Sequence, residues 1–462
     1  MDAILRHGGP RLCLFRARST IRNGELSAVS GAAWNTRVVS SSASYARSSA
    51  KTLRNVANVA NIEIGSLVTG TGVGREIYVR DRNIGAQTLT LSAPLYDAEG
   101  TQTFTFTRFR YLLEFDGFDK LSNVQFDNVT FACNGVSSGI LMARDGFAFQ
   151  LRDCHMTKPA DRGLTSIGRG CQDLLIDRCQ FMSNEASAPA QTRRTLVFNA
   201  NANDVKIRDN RIVRFRHFCV LGGDGTILTG NHWFHGDNEP DGVRLGGLVL
   251  TKTNPKTMIP GNYIDNNAIE WTNEHEADPA MGNQYSFGGL TITGNTFTNN
   301  DVADWFRWIV VKPYGPGHFI HGLTVTGNVF RSLNGSIGRV ETVNTAIADL
   351  DRSMMRNVVF ANNVFHGVDV ETVNPLSVGH TQSSAQSTWT VDTGGQLPFD
   401  GWARKVESIA PENQIKQANG TKSYAFPGVQ TQQGGGKDQI QVIWPTAVQG
   451  KVRCAIRMDN PN

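Results

Sequence analysis

The sequence predicts an all-β fold: a right-handed parallel β-helix solenoid with a small β insertion near the N-terminus and a C-terminal β-sandwich-like domain. Two observations carry that prediction. A short strand, a turn residue and a second apolar residue recur nine times, and successive copies lie 21 to 35 residues apart. Periods of this size mark solenoids, whose units cannot bury an apolar face alone and must stack.

The copies are VQFDNVTF (124–131), FQLRDCHM (149–156), LLIDRCQF (174–181), VKIRDNRI (205–212), ILTGNHWF (227–234), MIPGNYI (258–264), LTITGNTF (290–297), LTVTGNVF (323–330) and VVFANNVF (358–365). Their shared turn position holds Val129, Cys154, Cys179, Asn210, Asn231, Asn262, Asn295, Asn328 and Asn363. Strict alternation around this position argues for strands rather than helices, and Asn-rich turns leave no room for crossover helices. Each period is expected to form one coil, stacked on the next at about 4.8 Å. The turn column is expected to use the tolerance of Asn for left-handed backbone, with stacked side chains hydrogen-bonding from coil to coil.

The flanks read differently. Residues 1–50 are expected to be an atypical start and irregular first coils, with the first 19 residues reading poorly as β-helix. Residues 51–115, with IEIGSLVTGTGVGREIYVRDRNIGAQTLTLSAPL, read as the antiparallel insertion, 116–380 as the β-helix, and 381–462 as a C-terminal β domain.

Composition narrows the function. Hydrophobic residues make up 40% and charged residues 19%, as in folded chains. The net charge of +4 is spread without a basic run, which gives no support to a nucleic-acid partner. No stretch is apolar enough to insert into a membrane. Seven scattered cysteines show neither metal spacing nor a disulfide framework and are expected to be reduced and packed. The segments HWFHGD and EHEAD offer no three-ligand set, so neither metal nor cofactor is expected. The N-terminus lacks the apolar core of a secretory leader. The expected route is therefore cytoplasmic assembly and release by lysis, with non-classical export as the alternative.

The run of LxITGNxF coils resembles the pectate-lyase-like right-handed β-helix superfamily. The VTGTGVG…TLTLSAPL insert and the β-rich tail look like bacteriophage tailspikes and the polysaccharide-binding spikes of phage-like gene transfer agents. That resemblance implies a spike on the surface of a phage-like particle, held by an adaptor protein and engaging capsular or other cell-surface polysaccharide. The superfamily's usual acidic opening is absent, which fits the distal part of a larger spike. A homotrimer of parallel rods is expected, since each weak sugar site then gains avidity from its neighbours.

Candidate site residues concentrate in 232–321, which holds five of the ten histidines and four of the eight tryptophans. Aromatic faces stack on the apolar sides of sugars, and polar groups read the hydroxyls. The carbohydrate-binding candidates are Trp305, Trp271, His235, Asp237, Glu239, Asp241, Arg244, Glu274, Tyr314 and His318. Trp271 reads equally well as core, and any single His is more often structural.

Two catalytic schemes fit the same segment. Glycoside hydrolysis needs a carboxyl pair. Glu270 and Asp304 lie eight and nine residues past ladder asparagines on successive coils, and so are expected on one face. A lyase needs a base and a cation beside a uronate carboxylate, for which Lys312 with Arg307 or Arg244 would serve. Binding without turnover and degradation by a free lyase or hydrolase both stay open at this point.

Overall fold

The computed structural model describes residues 3–7, 18–235, 246–282, 285–300 and 303–460. Its body is a right-handed parallel β-helix. Each coil lays down two short strands that meet at a bend, such as Leu290–Thr293 and Thr296–Asn300, and a third farther on, such as Ile309–Lys312. Coils stack in register, so Ile292 lies between Ile259 and Val325. Phe297, Phe330 and Phe365 form a stack with ring centroids 4.8 and 5.7 Å apart. Two-residue alternation sends these side chains inward on every level, so like meets like along the axis.

The bend divides two tasks between neighbouring residues, and here the structure corrects the expectation. The left-handed conformation belongs to the residue before the ladder position: Asn128, Asp153, Arg178, Asp209, Gly230, Gly261, Gly294, Gly327 and Asn362 all have positive φ. The ladder asparagines instead spend their side chains on stacking. Asn295 Oδ1 accepts from the backbone N and Nδ2 of Asn262 at 2.9 and 3.0 Å, while Asn295 Nδ2 donates to Asn328 Oδ1 at 2.9 Å and to the Ile259 carbonyl at 2.8 Å. The same pattern runs from Asn210 to Asn363. These amides are almost fully buried from Asn210 to Asn328, so the ladder satisfies groups that water cannot reach. At the Cys positions it is thinner: Cys179 Sγ accepts from the Cys154 backbone at 3.4 Å.

The first coils are more regular than expected. Thr20–Ala28 pairs in parallel with Gln125–Ala132, and Ala3–His7 pairs with Gly24 to Ala28 below it. The ladder motif is absent there as a sequence string, but the stacking is present, with Asn23 at the bend. The antiparallel insertion also begins earlier than residue 51. Its six-stranded sheet pairs Arg37–Tyr45 with Gly100–Arg108 along their length. Leu53, Ile62, Leu89, Phe104 and Phe106 form its own small core.

This insertion interrupts one coil, between the ladder strand Thr20–Ala28 and the third strand Tyr111–Glu114. Tyr111–Glu114 opens a nine-stranded parallel sheet that continues through Arg162–Thr165, Gly246–Leu250 and Ala268–Thr272 to Ile309–Lys312 and Glu341–Val343. The insertion lies against the outer face of that sheet. Tyr78 and Phe109 pack on Tyr111, Leu141 and Ile167. The Glu76 carboxylate takes the Arg162 guanidinium at 2.9 Å and the Tyr78 hydroxyl, all buried.

The rod ends under an antiparallel sheet centred on Gln439–Arg457, which pairs with Leu376–Asp392, Lys405–Pro411 and Gly428–Gln433. Its first strand starts at Leu376, just upstream of the expected boundary. The buried Asp459 carboxylate accepts from the Val358 backbone and from Asn374 Nδ2, both at 2.9 Å, sealing the last coil.

Candidate functional site

Where the nine-stranded sheet passes the tip of the insertion, its outer face opens into a cleft. The side chains there follow from strand register. Glu270 faces outward between Val249 and Val310, while Ile269 and Trp271 face in. Gly246 and Ala268 are paired on the same outer surface and leave room that larger residues would fill. A Cβ at Gly246 would stand 2.7 Å from the Glu270 Oε2, so the glycine is what lets that carboxylate lie across the strand.

The cleft has two lobes. The larger, about 570 Å³, is lined by Gly246, Ala268, Glu270, Trp305, Phe306, Arg307, Val310 and Asn344. The smaller, about 360 Å³, is lined by Arg75, Tyr96, Arg216, His217, Glu270, Glu274, Lys312 and Tyr314. Gly246, Glu270 and Asn344 border both, so Glu270 stands at the junction. Trp305 is 43% exposed and forms an aromatic wall.

Electrostatics centre on Arg75, which the insertion delivers. Its Nη2 lies 2.7 Å from Glu270 Oε1 and 2.8 Å from Glu274 Oε1, and its Nε donates to Glu274 Oε1 at 2.9 Å. The side chain of Glu274 is only 1% exposed. Burial by itself would raise this carboxyl, but the Arg75 charge and the hydrogen bonds from Arg75 hold it at about 2. Tyr314 extends its hydroxyl toward Glu274 at 3.4 Å, and burial beside that carboxylate pushes the phenol well above its ordinary range. Burial, with the charge of Arg75, lowers His217 to about 4, so its ring is neutral near pH 7. His217 Nδ1 lies 2.6 Å from the Gly246 carbonyl, which assigns the proton to Nδ1 and leaves Nε2 to accept from Arg216.

The insertion is pressed closely onto this site. A Cβ at Gly74 would meet the Glu274 carbonyl at 2.7 Å, and His275 Nε2 donates to the Arg75 carbonyl at 2.7 Å. Tyr96, also from the insertion, meets Tyr314 edge-on at 4.6 Å.

The structure gathers Glu270, Glu274, Trp305, Arg307, Lys312 and Tyr314 around one cleft, as candidates of the 232–321 segment. It separates others. Asp304 is exposed on the turn before Trp305 and lines neither lobe. Its neighbours Trp305 to Arg307 face the cleft because the turn, held by Arg307 Nη1 on the Asp304 carbonyl, reverses there. Trp271 is fully buried against Phe287, since the register that turns Glu270 outward turns its neighbour inward. His235 is fully buried on Phe218, and His318 is buried between Phe287 and the Pro279 carbonyl. All three are core residues. Asp237, Glu239, Asp241 and Arg244 lie outside the described residues.

Sequence reasoning missed Arg75, Arg216, His217, Tyr96 and Asn344. Arg75 sits in GTGVGRE, where the close-set glycines were the one local sign of tight docking. The others carry no signal until the coils are stacked.

No family model matches the sequence, and no curated protein matches it. Among solved structures the chain is similar to a mutant tailspike protein of E. coli bacteriophage HK620 in complex with a pentasaccharide. Identity there is 12%, over 75% of this chain and 73% of that one, with a TM-score of 0.35. A further HK620 tailspike mutant, in complex with a hexasaccharide, gives 12% identity over 75% and 70%, with a TM-score of 0.37. The Gp54 tailspike of Acinetobacter baumannii bacteriophage AP22, in complex with a capsular saccharide, is 9% identical over 99% of this chain and 91% of that one, with a TM-score of 0.25.

Proposed function

We propose that this protein is a carbohydrate-engaging spike, a β-helix rod that binds host-surface or capsular polysaccharide for a phage-like particle. One observation carries the reading: an exposed Trp305 walls an open cleft in which Glu270, Arg307 and Asn344 converge. An aromatic platform beside fixed hydrogen-bonding groups suits a sugar ring, whose faces are apolar and whose edge is polar. Its two adjoining lobes open on the outer face of the rod, where a polymer can run past. Polysaccharide retention by the intact protein, compared with Trp305→Ala, tests the assignment.

Parallel homotrimerisation, with one end held by a particle adaptor, belongs to the same proposal. It is supported by the loop that precedes Gly428–Gln433 in the C-terminal domain, where Tyr424 and Phe426 are 83% and 84% exposed. Assembly in the cytoplasm and release by lysis complete it. Sedimentation at micromolar concentration tests the trimer.

A second reading, a polysaccharide-degrading enzyme, is favoured by the carboxyl pair at the clamp. Arg75 Nη2 lies 2.7 Å from Glu270 Oε1 and 2.8 Å from Glu274 Oε1, so the two oxygens lie no more than about 5.5 Å apart. Retaining glycosidases hold their carboxyls about 5–5.5 Å apart. Glu274, held at about 2, stays ionised and cannot be the proton donor. Chromatography of capsular polysaccharide before and after incubation separates the two readings.

A further inference from the structure

The described residues of the cleft carry more positive charge than their own carboxylates neutralise. Glu270 and Glu274 are both engaged by Arg75. Three other cations line the lobes: Arg216 and Lys312 in the smaller, Arg307 in the larger. Among the described residues, none of the three has a carboxylate within ion-pair distance. Arg216 hydrogen-bonds to His217 and the Arg193 carbonyl, Arg307 to the Asp304 and Phe306 carbonyls, and Lys312 Nζ stands 5.1 Å from the centre of the Tyr314 ring.

A cation in a partly enclosed lobe has surrendered some hydration, and carbonyl contacts return only part of it. Burial lowers the pKa of both Arg216 and Arg307, the mark of charge that is incompletely compensated. His217 is neutral and adds no balancing charge. An anion entering the smaller lobe would meet Arg216 and Lys312 together, within a partly dry wall formed by Tyr96 and Tyr314. Arg–carboxylate contacts of this kind are among the stronger hydrogen bonds available to a protein.

Resting on the reading of this cleft as a glycan site, we infer that the glycan is acidic, with its anionic sugar seated against Arg216 and Lys312 and a neighbouring ring on Trp305. The anion is a sugar carboxylate or a sulfate. The charge imbalance selects either over a neutral polymer, and the binding involves no bond making or breaking.

The test uses the full chain and immobilised polymers in matched pairs. Polygalacturonate, alginate, hyaluronan and polysialate are each set beside their carboxyl-reduced forms, and dextran sulfate beside dextran. Expected is retention on at least one acidic member, weakened about tenfold or more by removal of its anion and to a similar degree by Lys312→Gln or Arg216→Gln. Lys312→Arg should restore retention, and Lys256→Gln, outside the cleft, should leave it unchanged, which separates site binding from general attraction to a basic protein. Equal retention on a reduced form, retention on dextran alone, or indifference to both cleft substitutions overturns the acidic assignment and leaves the glycan reading standing. Retention on no polymer of either kind overturns both.

Discussion

Arg75 and Glu270 are 195 residues apart in the chain and meet at 2.7 Å across the boundary between the insertion and the rod. The same guanidinium holds Glu274, so one side chain fixes two carboxylates and docks one wall of the cleft. The insertion is therefore part of the site and not an ornament on it.

Replacing Arg75 with Gln should leave Glu274 buried without its cation. Breaking a buried pair in this way costs about 3 kcal/mol. Thermal or denaturant unfolding should show the loss, and Glu274→Gln in the same background should recover part of it. An Arg75→Gln protein as stable as the parent would mean that the clamp contributes nothing.

The clamp also sets a pH dependence. The folded-state Glu274 carboxyl lies at about 2, below its ordinary 4.5. A depressed carboxylate stabilises the fold above its unfolded pKa, and that stability drains away as pH falls toward the folded value. Protection of the insertion tip in hydrogen exchange should therefore be flat from neutrality to about pH 5 and decline below about 4.5. Glu274→Gln should remove that slope. Unchanged protection at pH 3 would count against the clamp as its origin.

Trp305→Ala should weaken polysaccharide binding by about 1–3 kcal/mol, as loss of a central aromatic does. The unfolding midpoint should hardly move, because the side chain is nearly half exposed. Glu270→Gln keeps shape and hydrogen bonding while removing charge. It should abolish turnover if the protein degrades its ligand, and reduce affinity modestly if it only binds. Asp304→Asn, outside both lobes, should do neither. Calorimetric titration with product chromatography on the three variants distinguishes these outcomes.

The ladder can be tested one residue at a time. Gly294 has φ of +65° and open space where a Cβ would go, so Gly294→Ala should cost only the backbone strain, about 1–2 kcal/mol. Asn295→Ala strands the buried backbone N–H of Asn262 and removes the Asn295 amide's own ladder bonds, so it should cost more, about 2–4 kcal/mol. Equal costs at the two positions would contradict the division of labour at the bend.

How much of this was legible in the sequence depended on whether the signal was periodic. The LTITGNTF-type copies gave the stack, its register and the ladder column, because each coil repeats the same local physics. They misassigned the left-handed residue by one place, since TGN and RDN offer two tolerant residues side by side and composition alone does not say which one bends. The site was half legible. Glu270, Trp305 and Lys312 lie in the aromatic-rich segment and could be proposed from it. Trp271 was ambiguous because an apolar run at a strand end does not announce which face it takes. The glycines around Arg75 hint at close docking, but its partners come from a contact that no local pattern encodes.

A stack of coils ordinarily melts as a chain of neighbours, each level leaning only on the two beside it. Here the insertion touches levels that are not adjacent, packing on Leu141 and Ile167, pairing with Arg162, and gripping Glu270 and Glu274 several strands away. It acts as a splint laid along the column. Fraying that starts between those levels cannot spread by simple unstacking, since each would first have to break free of the splint. The span from Tyr111 to Thr272 is thereby bound into one cooperative unit, and the cleft sits at the end where that unit is fastened.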